Sequence, residues 1–107
     1  MNRGEVWWVD FDPAVGGEIK KQQPAVIVSN EAANRHLNRV QVVPLTSRTA
    51  KVYPSEALVA FAGKQAKAMA DQLTTVSKLR LINYGCKLDD AEMRQVERAI
   101  RIQLDLR

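Results

Sequence analysis

An unbroken apolar run, Ala25, Val26, Ile27 and Val28, follows Pro24 and is preceded by the polar, doubly basic segment GGEIKKQQ. Four successive apolar residues with no polar alternate are the pattern of a strand buried on both faces, so the run is a rigid base. Pro24 opens it where a missing amide is tolerated, and Gly16 and Gly17 free the backbone of the loop before it. That loop offers Glu18, Lys20, Lys21, Gln22 and Gln23 as hydrogen-bond acceptors and donors. A polar loop hinged on a buried strand is a common seat of binding and chemistry.

The rest of the chain supplies short strands and little helix. Residues 5–11, EVWWVDF, have strand composition, and Asp12-Pro13 reads as a turn. Consecutive Trp7 and Trp8 point to opposite faces of such a strand, one into the core and the other toward a base or a dimer seam. Ser29 or Asn30 can cap a marginal helix over residues 31–36, and residues 40–45, VQVVPL, form a third strand with a polar exit of Thr46, Ser47, Arg48 and Thr49. Strands follow at 55–61, at 68–76 and, short and at an edge, at 84–88, with a single turn capped by Ser77 between the last two.

The clearest element is a helix over residues 89–104. Asp89 is its cap, with Glu92 three positions on in a capping-box arrangement. Met93, Val96, Ile100 and Leu104, flanked by Ala99, share one face and predict packing on a sheet. The result is a single α+β domain over residues 1–107, with a small, strongly bent antiparallel sheet, short helices and a terminal helix.

Composition narrows the chemistry. The net charge is +4, and eight basic residues lie between Lys20 and Lys67 against only Glu31 and Glu56. A basic middle containing the hinge loop can attract a polyanion, although a solvated charged surface accounts for the same pattern. Cys86 is the lone cysteine, so no internal disulfide forms, and one histidine without clustered acids predicts no metal and no cofactor. The start MNRGEVWW lacks a signal-peptide run and no stretch is long enough to span a bilayer, so the expectation is a cytoplasmic protein with no membrane association. His36 lacks a triad partner and reads as a surface residue.

Four stretches together, RGEVWWVDFDPAVGGE, the hinge and strand at 16–30, VVPLTS at 42–47 and ADQLTTVSKLRL at 70–81, resemble the MazF/PemK family of toxin endoribonucleases over nearly the whole chain. The resemblance implies a small SH3-like barrel sheet of the kind shared with the gyrase-poisoning toxin CcdB, and a symmetric homodimer. It implies metal-independent cleavage of single-stranded RNA, the ribose 2′-hydroxyl attacking the adjacent phosphorus to leave a 2′,3′-cyclic phosphate and a 5′-hydroxyl. An acidic antitoxin, folding over the basic groove, is the implied partner of such a type II toxin.

Residue roles carry over by position. Thr46 matches a catalytic threonine, and Gln23 stands where the family places a catalytic arginine. An amide carries neither charge nor a titratable proton, so Gln23 can donate hydrogen bonds to a phosphoryl oxygen but cannot shuttle protons or neutralise developing charge. Lys20 or Lys21 can supply that charge, or Glu18 can act as general base while Arg48 stabilises the transition state. Ser47 and Arg48 are assigned to phosphates or bases, and Asp71 and Gln72 to a strand bordering the RNA groove, where buried structural hydrogen bonding explains them equally. Two alternatives stay open: a silent or impaired member, on the strength of Gln23, and a gyrase-binding toxin of the same fold.

Overall fold

The structure is a computed structural model that describes residues 1–11 and 22–107. Its strands are β1 (Glu5–Asp10), β2 (Gln22–Ile27), β3 (Arg39–Thr46), β4 (Glu56–Phe61), β5 (Lys64–Met69), β6 (Thr74–Ser77) and β7 (Leu81–Lys87). They form one antiparallel sheet in the order β4-β5-β3-β2-β1-β7, with β6 also paired to β3. The expected bent antiparallel sheet and terminal helix are therefore both present.

The bend originates in β3. One edge of this strand pairs with β2 at residues 42–44, while its other edge is shared, β6 taking residues 39–42 and β5 residues 45–46. Pro44, which has no N–H to donate, lies between the two shares. A chain that first pairs with one half of β3 and then with the other must step sideways. The single strand expected over residues 68–76 is accordingly broken by a 3-10 turn, Ala70–Gln72, with Leu73 N–H donating to the Ala70 carbonyl at 3.1 Å.

β2 is buried on both faces, as its apolar run predicts. Val26 faces a core with Val6, Val43, Leu45, Val59 and Val96, whereas Ala25 and Ile27 face a second core with Val9, Val40, Val42 and Leu81. Each fully buried aliphatic side chain of this kind contributes roughly 2 kcal/mol, so the strand is fixed from two sides.

Helix α1 (Glu31–His36) is capped by the side chain of Asn30, which accepts from Ala33 N–H at 2.8 Å. Helix α2 (Asp90–Leu104) has the capping box that its sequence predicts, with Asp89 accepting from Glu92 N–H at 2.7 Å and Glu92 from Asp89 N–H at 3.1 Å. Met93, Val96 and Ala99 bury against the first core with Ile100 beside them; Leu104, expected on the same face, is 50% exposed and outside that core. His36 is exposed.

The far end of the sheet curls back toward its beginning. β4 and β5 meet in a two-residue turn in which Ala62 and Gly63 both have positive φ, 53° and 75°, the geometry that matches strand twist in tight hairpins. Phe61, just before this turn, reaches the opposite margin of the sheet. A Cβ added to Gly85 of β7 would lie 2.8 Å from its ring, so only glycine admits the ring there. Phe61 thus packs edge-on to Trp8 of β1, their ring centroids 5.8 Å apart.

Candidate functional site

Three neighbouring strands carry the candidate residues in one lateral row. Thr46 of β3 is the cross-strand partner of Lys67 of β5. On the other side, β2 pairs with β3 in the register Ala25 to Pro44, and Gln23 and Thr46, each two residues past that pair toward the same end, line the same two cavities. Directly opposed side chains in an antiparallel pair lie about 5 Å apart at Cβ, so Thr46 and Lys67 are immediate neighbours.

Gln23 and Thr46 form the partition between two cavities. One, of about 400 Å³, is walled by Trp8, Pro24, Leu45, Phe61 and Ala66, with Ser47, Lys64 and Gln65 at its polar parts. The other, of about 380 Å³, is lined by Gln23, Thr46, Arg48, Lys67, Met69 and Gln72. The first has the flat apolar and aromatic walls that suit an unpaired nucleobase. Among the described residues the second holds two cations and three neutral hydrogen-bonding side chains, which suits a phosphate.

Within the second cavity the two cations are held differently. Lys67 is buried, at 8% exposure. Its ammonium donates to the Lys51 carbonyl at 2.8 Å and to Glu56 Oε1 at 2.9 Å, and stands 5.7 Å from the centroid of the Tyr53 ring. Burial pushes the Glu56 carboxyl up, but the Tyr53 amide and the Lys67 ammonium outweigh it and hold the group below the usual carboxylate range. Arg48 is exposed, its backbone N–H donating to Thr46 Oγ1 at 3.3 Å. That contact uses the Thr46 hydroxyl as an acceptor and leaves its own proton available for donation.

The structure brings together Gln23, Thr46, Ser47, Arg48 and Gln72 from the sequence-derived set. Glu18, Lys20 and Lys21 lie outside the described residues. Asp71 and Gln72 sit in the 3-10 turn, not on a strand; both are exposed, so neither is a buried structural pair. Trp7 packs beside the second core with Nε1–H donating to Glu5 Oε1 at 2.9 Å, leaving Trp8, 38% exposed, to wall the apolar cavity.

Sequence reasoning counted Lys67 only toward the basic middle and passed over Phe61. A lysine inside the otherwise small and apolar run AKAM, with Glu56 upstream on a neighbouring strand, was the signal for the first. Phe61 had none, since the contact that matters is with the far margin of the sheet. Among the described residues no cluster of three or more histidine, cysteine or acidic side chains is arranged to hold a metal ion.

A third cavity, of about 400 Å³, opens beside α2 and is lined by Arg3, Glu31, Lys87, Asp90, Arg94 and Glu97 among others. Its charges answer one another. Arg3 Nη2 pairs with Glu97 at 2.9 Å, and Glu31 accepts from the Arg3 amide at 2.8 Å and from Asn34 at 3.1 Å.

Residues 2–104 match the family described as PemK-like, MazF-like toxin of type II toxin-antitoxin system. The chain is 42% identical to endoribonuclease MazF9 of Mycobacterium tuberculosis, over 99% of this chain and 98% of that protein. It is 31% identical to endoribonuclease MazF of Staphylococcus saprophyticus, over 99% and 92% of the two. Among solved structures, a mycobacterial endoribonuclease in complex with its cognate antitoxin superposes with a TM-score of 0.84 at 28% identity, over 100% of this chain and 97% of the other. A MazE-MazF structure from Deinococcus radiodurans gives a TM-score of 0.84 at 27% identity, with coverage of 100% and 97%.

Proposed function

The chain belongs to the family of PemK-like, MazF-like toxins of type II toxin-antitoxin systems, and from that premise we propose that it is a sequence-specific endoribonuclease acting on single-stranded RNA in the cytoplasm. The observation that carries this reading is the partition formed by Gln23 and Thr46 between an apolar, aromatic-walled cavity and a cationic one. A nucleotide laid across the partition places its base against Trp8 and its phosphate beside Arg48 and Lys67.

The reaction is transesterification. The 2′-oxygen attacks phosphorus as its proton passes to a base, and the P–O5′ bond breaks as that oxygen gains a proton. The products are a 2′,3′-cyclic phosphate and a 5′-hydroxyl, and no metal takes part. Thr46 donates its hydroxyl proton to a phosphoryl oxygen, and Gln23 adds amide N–H donors while contributing no charge. We assign the role of general base to Glu18 and phosphate contacts to Lys20 and Lys21 on their positions in the sequence.

The whole chain acts as one toxin domain, assembled as a homodimer. Leu79, 95% exposed, and the exposed Ile82 and Tyr84 give a second copy an apolar surface to cover. An acidic antitoxin segment that folds on binding neutralises the toxin by competing for the cationic cavity.

Incubation of the purified chain with a long RNA in EDTA, alongside the Gln23→Arg variant, tests the reading. Defined fragments from the native chain, with cyclic-phosphate ends, are expected. Neutral Gln23 in the cavity favours one second reading, a silent member, which predicts cutting by the Gln23→Arg variant alone. Inhibition of gyrase with no cutting by either chain overturns both.

A further inference from the structure

Resting on the nuclease reading of this site, we propose that Lys67 is a phosphate-contacting residue of the reaction, its ammonium holding a non-bridging oxygen of the scissile phosphodiester from the wall of the cationic cavity. Three observations carry this. Lys67 is the direct cross-strand partner of Thr46, so the two side chains act at one point of the sheet. It lines the same cavity as Gln23, Thr46 and Arg48, although it is only 8% exposed. Finally, its position is fixed: the Lys51 carbonyl and Glu56 Oε1 take two of its three N–H donors, and the third has no hydrogen-bond partner among the described residues.

A fixed donor is what this chemistry requires. As the 2′-oxygen bonds to phosphorus, negative charge grows on the non-bridging oxygens, and a donor already oriented in a partly desolvated wall stabilises that charge without reorganising. Gln23 is neutral and Arg48 is exposed on a loop exit, so Lys67 is, among the described residues, the cation of this cavity that the fold itself orients. Glu56 acts as its holder, accepting from both the ammonium and the Tyr53 amide. Lys67 neither takes nor gives a proton in the step, which is balanced by the base and acid acting at the 2′ and 5′ oxygens. A purely structural ion pair, by contrast, gains little over an apolar pair of the same volume.

The test replaces the pair without changing net charge. Whichever of the native chain and its Gln23→Arg variant cuts RNA serves as the parent, and Glu56→Gln and Glu56→Gln/Lys67→Met are built in it. The double variant removes both charges, leaving no buried ion unpaired. Its cleavage rate at the mapped site is expected to fall about a hundredfold, against less than tenfold for Glu56→Gln, which keeps the ammonium. Binding of a 2′-O-methyl RNA spanning the cut site is read against salt, and the slope of log affinity on log salt is expected to shrink by about 0.7 in the double variant. Glu56→Gln/Lys67→Gln, an amide pair, replaces the Met form if that form does not melt cooperatively. A double variant that cuts within threefold of Glu56→Gln, or an unchanged salt slope, overturns the role of Lys67 alone. Failure of both parents to cut overturns the nuclease reading and this proposal with it.

Discussion

The cationic cavity and the cavity beside α2 are nearly equal in volume and both hold charged side chains, yet they differ in how those charges are spent. Beside α2, Arg3, Lys87 and Arg94 face Glu31, Asp90 and Glu97, so the lining is neutral among the described residues and is held together by contacts such as Arg3 to Glu97. Between β2, β3 and β5, the lining carries Arg48 and Lys67 with no carboxylate among the described residues of the wall; Glu56 anchors the lysine and does not itself line the cavity. An unbalanced lining next to an apolar, aromatic cavity is a site that expects a ligand with both an anionic and a flat apolar part. A balanced one is part of the scaffold.

The largest effect that would break this contrast lies at the partition. Thr46→Val preserves shape and removes the hydroxyl, and it is expected to slow RNA cleavage about a hundredfold, near 2.7 kcal/mol of barrier, with little change in melting temperature. Cleavage assays with a calorimetric control decide it, and an unaltered rate would remove Thr46 from the chemistry. Next, Trp8→Ala takes away the aromatic wall; RNA affinity measured by fluorescence anisotropy should fall about tenfold, the scale of one base stacked on one ring.

The buried pair behind the cavity gives a pH signature. The folded-state pKa of Glu56 lies below its unfolded value, so the unfolded chain binds more protons in the window between them. The stabilisation is therefore complete above the unfolded value, about 4.3, and is lost as pH falls through the lower folded one. Melting temperatures followed from pH 6 down to 3 should show a steeper acid decline for the native chain than for Glu56→Gln. Parallel declines would mean that the carboxylate is not held by its partners. The smallest effect belongs to the neutral cavity. Glu97→Gln should cost under 1 kcal/mol, since its partner Arg3 is about a third exposed, and should leave RNA affinity untouched. A loss of affinity there would end the contrast.

Much of this architecture was legible in particular residues. The apolar run at Ala25 to Val28 announced a doubly buried strand, and Ala25, Val26 and Ile27 are each 0% exposed. Asp89 and Glu92 announced the start of α2, because caps act within one turn. Leu104 misled, since periodicity reports the face of a helix and not how far along that face packing continues. Residues 68–76 misled for a related reason. Their composition suits one strand, but β3 divides its edge between β5 and β6, and that division is a property of the sheet.

At the site, residue types pointed to Gln23, Thr46, Ser47 and Arg48, and the family likeness added Gln72 and the catalytic role of Thr46. What the sequence determined by itself was the local grammar: strand runs, caps, the basic middle and the hydroxyl-rich exit of β3, all set by neighbours a few residues away. Tertiary structure alone decided that Lys67 stands across from Thr46, that Phe61 crosses the curl of the sheet to meet Trp8 over Gly85, and that Gln23 and Thr46 divide two unlike cavities. Those relations depend on strand order and register between distant segments, and spacing along the chain does not specify which strand edge a β-strand will meet.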